Sequence, residues 1–387
     1  MRTISISWVK KMGKVIIRKI TTLKETIGSC LDELGFKPKY REIILKPNVL
    51  SYLKSGSGFI TDVKVVRALI QALLERYEID RIFVAESSYI NADTKKSFAA
   101  AGYYALEKLS PKVTLVDLKD AEYEDGNFNV RIPKILKDKT LIDMPVLKGH
   151  PQTGLTCALK NLKGLLHDSD KRNIHKWGLE EHLPLLANFK VELVIVDATT
   201  VRETFGKPFP RKFSFNRIIA GFDPAEVDKA ACLLTGIDVD TIKYLKTVLE
   251  GKNEETELIG FSGPLAKWKP VVRLLKIGKY GINITSSCSR CWDNCLEAIR
   301  PGHIKRETSI INDVLTVLNS FLLPENVNLI VGSHKELIGA QDGKVVLCGD
   351  CAVNKLGIKN AIEVRGCPPT AEAIRKALKE KHTDRKS

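Results

Sequence analysis

The side chains most suited to chemistry are six cysteines near the C-terminal end, out of nine in the chain: Cys288, Cys291, Cys295, Cys348, Cys351 and Cys367. The first three form a Cys-x2-Cys-x3-Cys motif, which places three thiols within about two helical turns. Two or three of them could therefore reach one metal centre. In a reducing compartment, such a group more often binds metal or acts in catalysis than forms disulfides.

The remaining cysteines of this group follow predicted strands. Cys348 and Cys351 lie at the end of one apolar run, and Cys367 lies at the end of the next. The ends of parallel strands converge on one crevice, and four thiolates suffice for a 4Fe-4S cluster. We therefore expect an iron-sulfur cluster whose ligands are drawn from the six cysteines.

Two alternatives for the cysteines stay open. Two Cys-x2-Cys pairs are also the spacing of a structural zinc site. A redox disulfide, or thiols that are simply buried, is the other alternative. The repeated close spacing of a bacterial ferredoxin module is absent from the sequence. The other three cysteines, Cys30, Cys157 and Cys232, lie in apolar helical settings and are predicted to be core residues.

A second group gathers cations and hydrogen-bond donors near several glycines. Its members are Lys148, His150, Lys160, Asn161, Lys163 and His175, and Lys46 and Asn48 from an earlier strand end are predicted to join them. Ammonium and amide donors stabilise concentrated negative charge, which predicts a site for a carboxylate, a phosphate or a nucleotide. Gly164 would allow a close backbone approach. The alternative is a solvated lysine face, although the interspersed leucines leave little of this segment for solvent.

Acidic residues also follow apolar runs: Glu86, Asp197, Asp223 and, slightly later, Asp228. Together with Lys46 and Asn48 they are candidate contacts to a substrate or a metal ion. Each one could instead cap a helix or hold a loop.

The elements that position these groups are those of an α/β protein with a large, mainly parallel sheet, because short apolar runs alternate with helical patterns. Strands are predicted over 41–48, 81–87, 112–117, 139–145, 191–198 and 216–223. Thr61 and Asp62 are predicted to cap a helix that continues to Leu74, and Pro224 to open a helix that ends at Gly236.

Two domains are expected: residues 1–270 and a smaller, cysteine-rich α/β domain at 271–387. The basic and apolar stretch 267–281 shows no strand alternation and marks the junction. Beyond it we predict helices over 292–300, 309–322 and 370–381, and strands over 327–332, 344–351 and 361–366.

Composition bounds the class of protein. With 44% hydrophobic and 28% charged residues, the chain is typical of a soluble globular protein. The net charge of +15 could serve an anionic substrate, an acidic redox partner, nucleic acid or a membrane surface. The basic residues are spread among 46 acids, which argues against nucleic acid. No apolar stretch is long enough to span a membrane and no secretory signal is recognised, so a cytoplasmic location is expected.

Most of the first domain resembles the family named domain of unknown function 362. The resemblance is carried by LKPN (45–48), Thr61-Asp62, VAES (84–87), DMPVLKGHPQTGLTCALKNLKGLL (143–166), His175, IVDA (195–198) and GFDPAEVD (221–228). Members of this family often carry an iron-sulfur module at the C-terminal end. The resemblance implies a fold and a cluster but no reaction. A fainter likeness to the lactate racemase family favours a small-molecule crevice.

The last part of the chain, LCGDCAVNKLGIKNAIEVRGCPPTAEAIRKAL, resembles the cluster-binding segment of nickel-iron hydrogenase small subunits. That resemblance implies Cys351 and Cys367 as ligands, with Cys288 and Cys291 as the matching upstream pair. Cys295 and Cys348 are additional to the family pattern.

These observations lead to one expected function and two alternatives. We expect an iron-sulfur redox protein that transfers electrons to, or reduces, a small anionic substrate or a partner protein. A cluster-containing binding or maturation protein is the first alternative, and a non-redox α/β enzyme with structural zinc is the second.

Overall fold

The computed structural model describes residues 13–90, 92–126, 130–150, 152–203, 211–252, 256–268, 274–277, 279–283, 289–299, 326–332, 343–354 and 356–380, with the backbone alone for 175–177, 274–277, 289–290 and 292–293. The chain forms two compact units. The large unit comprises residues up to Pro270, apart from 175–179 and 204–210, and the small unit comprises the remainder.

The described strands of the large unit are β1 Lys14–Lys19, β2 Glu42–Pro47, β3 Arg81–Glu86, β4 Val113–Asp117, β5 Tyr123–Asp125, β6 Arg131–Pro133, β7 Thr140–Met144, β8 Val146–His150, β9 Gly154–Thr156, β10 Leu193–Glu203, β11 Arg211–Gly221 and β12 Glu257–Ile259. Strands β5 and β6 form a separate ribbon.

The other ten strands form one sheet. Eight of them follow the order β12-β1-β11-β10-β7-β2-β3-β4, and β8 and β9 add beside β10. The pairs from β10 through β7, β2 and β3 to β4 are parallel, and β11 is antiparallel to both of its neighbours.

Eight helices accompany these strands in the described part of the chain up to residue 250: α1 Leu23–Leu34, α2 Val63–Arg76, α3 Thr94–Ala101, α4 Ala158–Asn161, α5 Asp168–Trp177, α6 Leu179–His182, α7 Pro224–Thr235 and α8 Lys243–Glu250. Of the predicted caps, Asp62 and Gly236 are confirmed, whereas the Thr61 hydroxyl donates to the Met144 carbonyl instead. The Asp62 side chain accepts from the Lys64 backbone N–H at the start of α2, and Gly236 ends α7 with φ 69°, a conformation that suits glycine.

The core of the large unit explains why these segments form strands. Strands β2 and β3 bury apolar side chains on both faces, as strands in the interior of a parallel sheet do. Helices α1 and α2 pack their apolar faces on the same cluster. All six predicted strands are present, and the fold is α/β with a large, mostly parallel sheet. Prediction missed β1, β12 and the β8–β9 hairpin.

The small unit contains a sheet with the order β13-β14-β15-β16-β17, in which all neighbours after β14 are parallel. Its strands are β13 Leu274–Ile277, β14 Tyr280–Asn283, β15 Val327–Val331, β16 Lys344–Cys348 and β17 Ile362–Val364, and its described helices are α9 Ser289–Ile299, α10 Asp350–Val353 and α11 Ala371–Lys379.

One prediction for this region is wrong. The stretch 267–281 was expected to contain no strand, yet β13 lies within it and β14 begins there, in antiparallel pairing. Polar and apolar residues need not alternate in a short hairpin, because pairing with a neighbouring strand can outweigh the local sequence pattern. The helix predicted over 309–322 lies outside the described residues. In the part of the chain that the structure describes, no helix is both long and apolar enough to cross a membrane.

Candidate functional site

The polar site of the large unit lies at the C-terminal edge of three neighbouring parallel strands. Lys46 is near the end of β2, Glu86 ends β3, and Asp143 is near the end of β7. Lys46 and Asp143 are register partners across β2 and β7. In α/β proteins, this edge of a parallel sheet is where ligand-binding side chains are usually found.

Lys46 and Glu86 form a buried ion pair. The Lys46 Nζ lies 2.8 Å from Glu86 Oε2, and the two side chains are 1% and 4% exposed. Lys46 Nζ also donates to the Pro47 carbonyl at 2.7 Å, and the Glu86 carboxylate accepts from the backbone N–H groups of Val49 and Ser87. A buried ion pair is tolerated when further hydrogen bonds satisfy both charges, as they do here.

Asn161, the last residue of α4, joins this pair to its neighbours. Its Nδ2 donates to the Lys46 carbonyl at 3.1 Å and to Asp143 Oδ1 at 2.7 Å. Its Oδ1 accepts from Asn48 Nδ2 at 2.9 Å. All of these hydrogen bonds are internal, so Asn161 positions the site rather than offering free donors to a ligand.

Asp143 was not predicted as a site residue. It is fully buried, and among the described residues its Oδ2 has no hydrogen-bond partner. Burial raises the pKa of this carboxyl well above its usual range, although the charge of Lys46 and the hydrogen bond from Asn161 oppose the shift. The available signal was a lone acid within the apolar run of β7.

Lys148 is buried against neutral oxygens. Its Nζ donates to Asn48 Oδ1 at 3.0 Å and to the Phe59 carbonyl. Burial lowers the pKa of Lys148 to about 7, the charge of Glu86 opposes this shift, and Lys46 adds to it. Near neutral pH this side chain changes charge readily, which suits a group that binds an anion or moves a proton.

Lys160 and Lys163, both half-buried, add positive charge to the same locality. Burial lowers the pKa of Lys160 well below its usual range, and the charges of Lys163 and Lys148 lower it further. The Lys160 side chain forms no hydrogen bond or salt bridge with any residue that the structure describes. Of the predicted group, Lys46, Asn48, Lys148 and Asn161 are joined by hydrogen bonds.

Gly164 approaches the ion pair more closely than any residue with a side chain could. A Cβ at this position would lie 2.5 Å from Glu86 Oε1 and 2.7 Å from Lys46 Nζ. The Gly164 carbonyl also accepts from Ser87 Oγ at 2.7 Å. The predicted close backbone approach is confirmed, and its object is the Lys46–Glu86 pair.

The two predicted histidines differ in what the structure shows. His150 ends β8, and its Nδ1 accepts from the backbone N–H groups of Gln152 and Thr153, both at 3.2 Å. In the neutral form its proton is therefore on Nε2. The side chain of His175 lies outside the described residues.

The other acidic candidates have structural partners. Asp197 accepts from the Asp62 backbone N–H and from Thr199. Asp223 caps α7 and pairs with Lys252. Asp228 accepts from the backbone N–H groups of Ala158 and Leu159 at the start of α4, and burial raises its pKa to about 7. Only Glu86 of the predicted acidic set lies beside Lys46.

In the small unit, Cys295 and Cys348 are fully buried in the apolar cluster that also contains Cys291. Cys348 ends β16, and its Sγ lies 3.7 Å from the Val346 carbonyl oxygen. Cys351 is half-buried in α10, and Cys367 is exposed in the turn after β17. The backbone and side chain of Cys288 lie outside the described residues.

Two cysteine-bearing turns are bound directly to each other. The Asp350 backbone N–H donates to the Gly366 carbonyl at 3.1 Å, and the Gly366 N–H donates to Asp350 Oδ1 at 2.9 Å. Cys351 and Cys367 directly follow these residues in sequence. Cys291 Sγ lies 3.7 Å from the position that a Cβ on Gly349 would take. Helix α9 is joined to the second turn, because Asn294 Nδ2 donates to the Pro369 carbonyl at 2.7 Å.

Thiolates are the ligands of iron-sulfur clusters, and the hydrogen bonds above join α9 to the second cysteine-bearing turn and the two turns to each other. Within the described ranges, no three His, Cys, Asp or Glu side chains are arranged so that they could hold a metal ion. The thiols of Cys295 and Cys348 are instead packed in apolar surroundings.

Comparisons with known proteins find a family model that matches part of the large unit. Residues 43–233 match the family model described as "Domain of unknown function (DUF362)", which supports the family for this part of the chain. No curated protein matches the sequence. Among solved structures, the lactate racemase apoprotein from Thermoanaerobacterium thermosaccharolyticum is similar with a TM-score of 0.36 and 11% identity, over 56% of each chain.

Proposed function

We propose that the protein is an iron-sulfur redox protein in which cysteines of the small unit hold the cluster and the lysine-rich site of the large unit binds a small anion. The observation that carries the proposal is the direct hydrogen bonding between the turns that bear Cys351 and Cys367, with Cys291 Sγ beside Gly349. These contacts support the proposal because they join turns whose cysteines are far apart in sequence.

The ligands that we assign are Cys291, Cys351 and Cys367, with Cys288 as the fourth. Cys295 and Cys348 are left out of this set because both are additional to the hydrogenase-like pattern, and both are fully buried. When bound, a 4Fe-4S cluster would supply single-electron transfer. The electrons would go to, or come from, a small anionic substrate or a partner protein.

The test is metal and sulfide analysis of protein purified without oxygen. We expect a brown protein with about four irons per chain, the content of one cubane cluster. A colourless protein with one zinc per chain would reject the redox proposal in favour of an α/β enzyme with structural zinc. If the protein contains the cluster but no small anion oxidises or reduces it, a binding or maturation protein is favoured.

A further inference from the structure

Residues 55–59, between β2 and α2, form a short irregular segment without helix or strand. Gly56 and Gly58 have φ angles of 73° and 75°, in the left-handed region that other residues rarely adopt. Ile60 follows directly and is buried in the core of the large unit. Segment 55–59 can therefore turn sharply at two points while the chain after it stays anchored.

Two cations of the sheet hold segment 55–59 through its backbone carbonyls. Arg202 Nε donates to the Ser57 carbonyl at 2.8 Å, and Lys148 Nζ donates to the Phe59 carbonyl. Among the described residues, no other hydrogen bond joins the backbone of this segment to the sheet. Lys148 and Arg202 are also register partners on β8 and β10. The two cations are thus joined both by strand pairing and by contacts with one short stretch of chain.

Phe59 contacts both of these cations. Its carbonyl accepts from Lys148, and its ring centroid lies 4.7 Å from Arg202 Cζ, within the range of a cation–π interaction. The segment also packs closely at Gly58, where a Cβ would lie 3.0 Å from both Arg202 Cγ and Thr200 Cγ2. Segment 55–59 therefore covers Arg202 through polar and apolar contacts.

Backbone carbonyls are weak partners for these cations in comparison with an anion. A carbonyl oxygen accepts a hydrogen bond but does not neutralise the charge, whereas an anion adds the Coulomb attraction of a full opposite charge. Lys148 is 6% exposed, and its Nζ donates to the neutral oxygens of Asn48 and Phe59. An oxyanion that reaches the two cations would therefore replace the carbonyls of segment 55–59.

We propose that segment 55–59 is a lid over the anion site of the large unit, and that an oxyanion opens it by taking Lys148 and Arg202 from the carbonyls of Phe59 and Ser57. The inference rests on the anion site of the proposed function and adds Arg202 to that site. An anion that binds only the open state shifts the equilibrium toward it. The closed lid in turn lowers the apparent affinity by the fraction of molecules that are open.

The first experiment follows amide hydrogen exchange in segment 55–59 with and without sulfate, at an ionic strength matched with sodium chloride. Sulfate is an oxyanion whose charge does not change near neutral pH. We expect sulfate to speed the exchange of the segment several-fold, while the amides of α1 exchange no faster. If sulfate binds and the exchange of segment 55–59 is unchanged or slower, the lid is rejected.

The second experiment uses Phe59→Ala, which removes the ring from Arg202 but keeps the carbonyl that Lys148 binds. Because the change weakens the closed state and leaves both cations in place, we expect sulfate to bind about 2 to 10 times more tightly by calorimetry. Tyr40→Ala is the matched control, because it removes a cation–π contact with Lys39 ahead of β2, and it should leave sulfate affinity unchanged. Sulfate affinity in Phe59→Ala that equals or falls below that of wild type would contradict the lid.

Arg202→Met tests the added cation itself. We expect fast exchange of segment 55–59 without sulfate, no further change with sulfate, and sulfate binding about 10 to 100 times weaker, the loss for one charge-assisted hydrogen bond. Lys64→Met, at an exposed lysine on α2, is the control and should alter neither property. Wild-type exchange and wild-type affinity in Arg202→Met would overturn the proposal.

The outcomes separate the lid from the proposed redox function, because iron content is measured independently. Protein that binds sulfate without faster exchange in segment 55–59 keeps the anion site and rejects the lid. Protein that binds no sulfate rejects the anion site and the lid together, whatever its iron content. Protein that shows the lid response but contains no iron keeps the lid and rejects the cluster.

Discussion

Lys46 and Asp143 are register partners on adjacent parallel strands, yet the Lys46 ammonium forms its ion pair with Glu86 on the other neighbouring strand. Asp143 consequently has one oxygen bound by Asn161 and another that has no partner in the described structure. One strand edge therefore carries two buried carboxyl groups with different surroundings. Glu86 is paired with a cation, whereas burial raises the pKa of Asp143.

Replacement of the buried acid, Asp143→Asn, should change the pH dependence of stability. Burial raises the pKa of the Asp143 carboxyl in the folded protein. The stabilisation from this carboxyl is therefore complete below about pH 4, its pKa in the unfolded chain, and is lost as the pH rises toward its pKa in the folded protein. Asn does not titrate, so the free energy of unfolding of the variant relative to wild type should increase by up to about 1.4 kcal/mol per pH unit above pH 4.

Urea denaturation at three pH values between about 4 and 8 measures this difference. Asp62→Asn is a suitable control, because Asp62 is a partly exposed helix cap that retains an oxygen acceptor after substitution. A difference between wild type and Asp143→Asn that stays constant with pH would show that the carboxyl titrates normally.

Loss of one partner of the buried ion pair should be strongly destabilising. Lys46→Met leaves the Glu86 charge buried without its cation, and the expected cost is about 3 to 5 kcal/mol. The double variant Lys46→Met/Glu86→Gln should recover part of this loss, because no buried charge remains. Thermal and chemical denaturation of the wild type, of both single variants and of the double variant measures the coupling between the two residues.

The exposed pair Lys95–Asp120 provides the matched control, since both side chains are more than 60% exposed. Lys95→Met should change the free energy of unfolding very little, because exposed ion pairs are screened by solvent. Equal costs for Lys46→Met and Lys95→Met would mean that the Lys46–Glu86 pair is solvated in solution.

Addition of a single methyl group at Gly164 tests the close approach to the ion pair. A Cβ there would overlap Glu86 Oε1 and Lys46 Nζ, so Gly164→Ala should cost about 1 to 3 kcal/mol, the range for overpacking. Gly251→Ala is the control in the same unit, because among the described residues a Cβ at Gly251 would have one neighbour, at 3.7 Å. Similar melting temperatures for the two variants would contradict the tight packing at Gly164.

The sequence predicted the strands of the parallel region well because β2 and β3 are continuous apolar runs bounded by turn residues. The sequence did not predict β13 and β14, because polar and apolar residues do not alternate in these segments. The site was predicted in part, because lysines and asparagines that follow a predicted strand can be recognised from the sequence alone. The Lys46–Glu86 pair was not, because it depends on β2 and β3 being neighbours.

Asp228 shows a second limit of prediction from sequence. Its position after a strand and within an apolar helix indicated a ligand contact, but the structure shows it capping α4 from α7. Such a contact joins residues about 70 positions apart, so the sequence pattern around Asp228 does not indicate it. Residues that bind backbone N–H groups of another element are therefore easily mistaken for ligand-binding acids.

The final prediction distinguishes the cysteines that bind the cluster from those that stabilise the core of the small unit. Cys351→Ala and Cys367→Ala should lose most of the iron, because a cubane needs all of its thiolates. Both side chains are at least partly exposed, so neither change should lower the stability of the metal-free protein appreciably. Cys295→Ala and Cys348→Ala should do the opposite: iron is retained, and the cavity left in the core costs about 1 kcal/mol. Iron content measured without oxygen, together with the melting temperature after iron removal, tests both halves, and full iron in Cys367→Ala or none in Cys348→Ala would reverse the assignment.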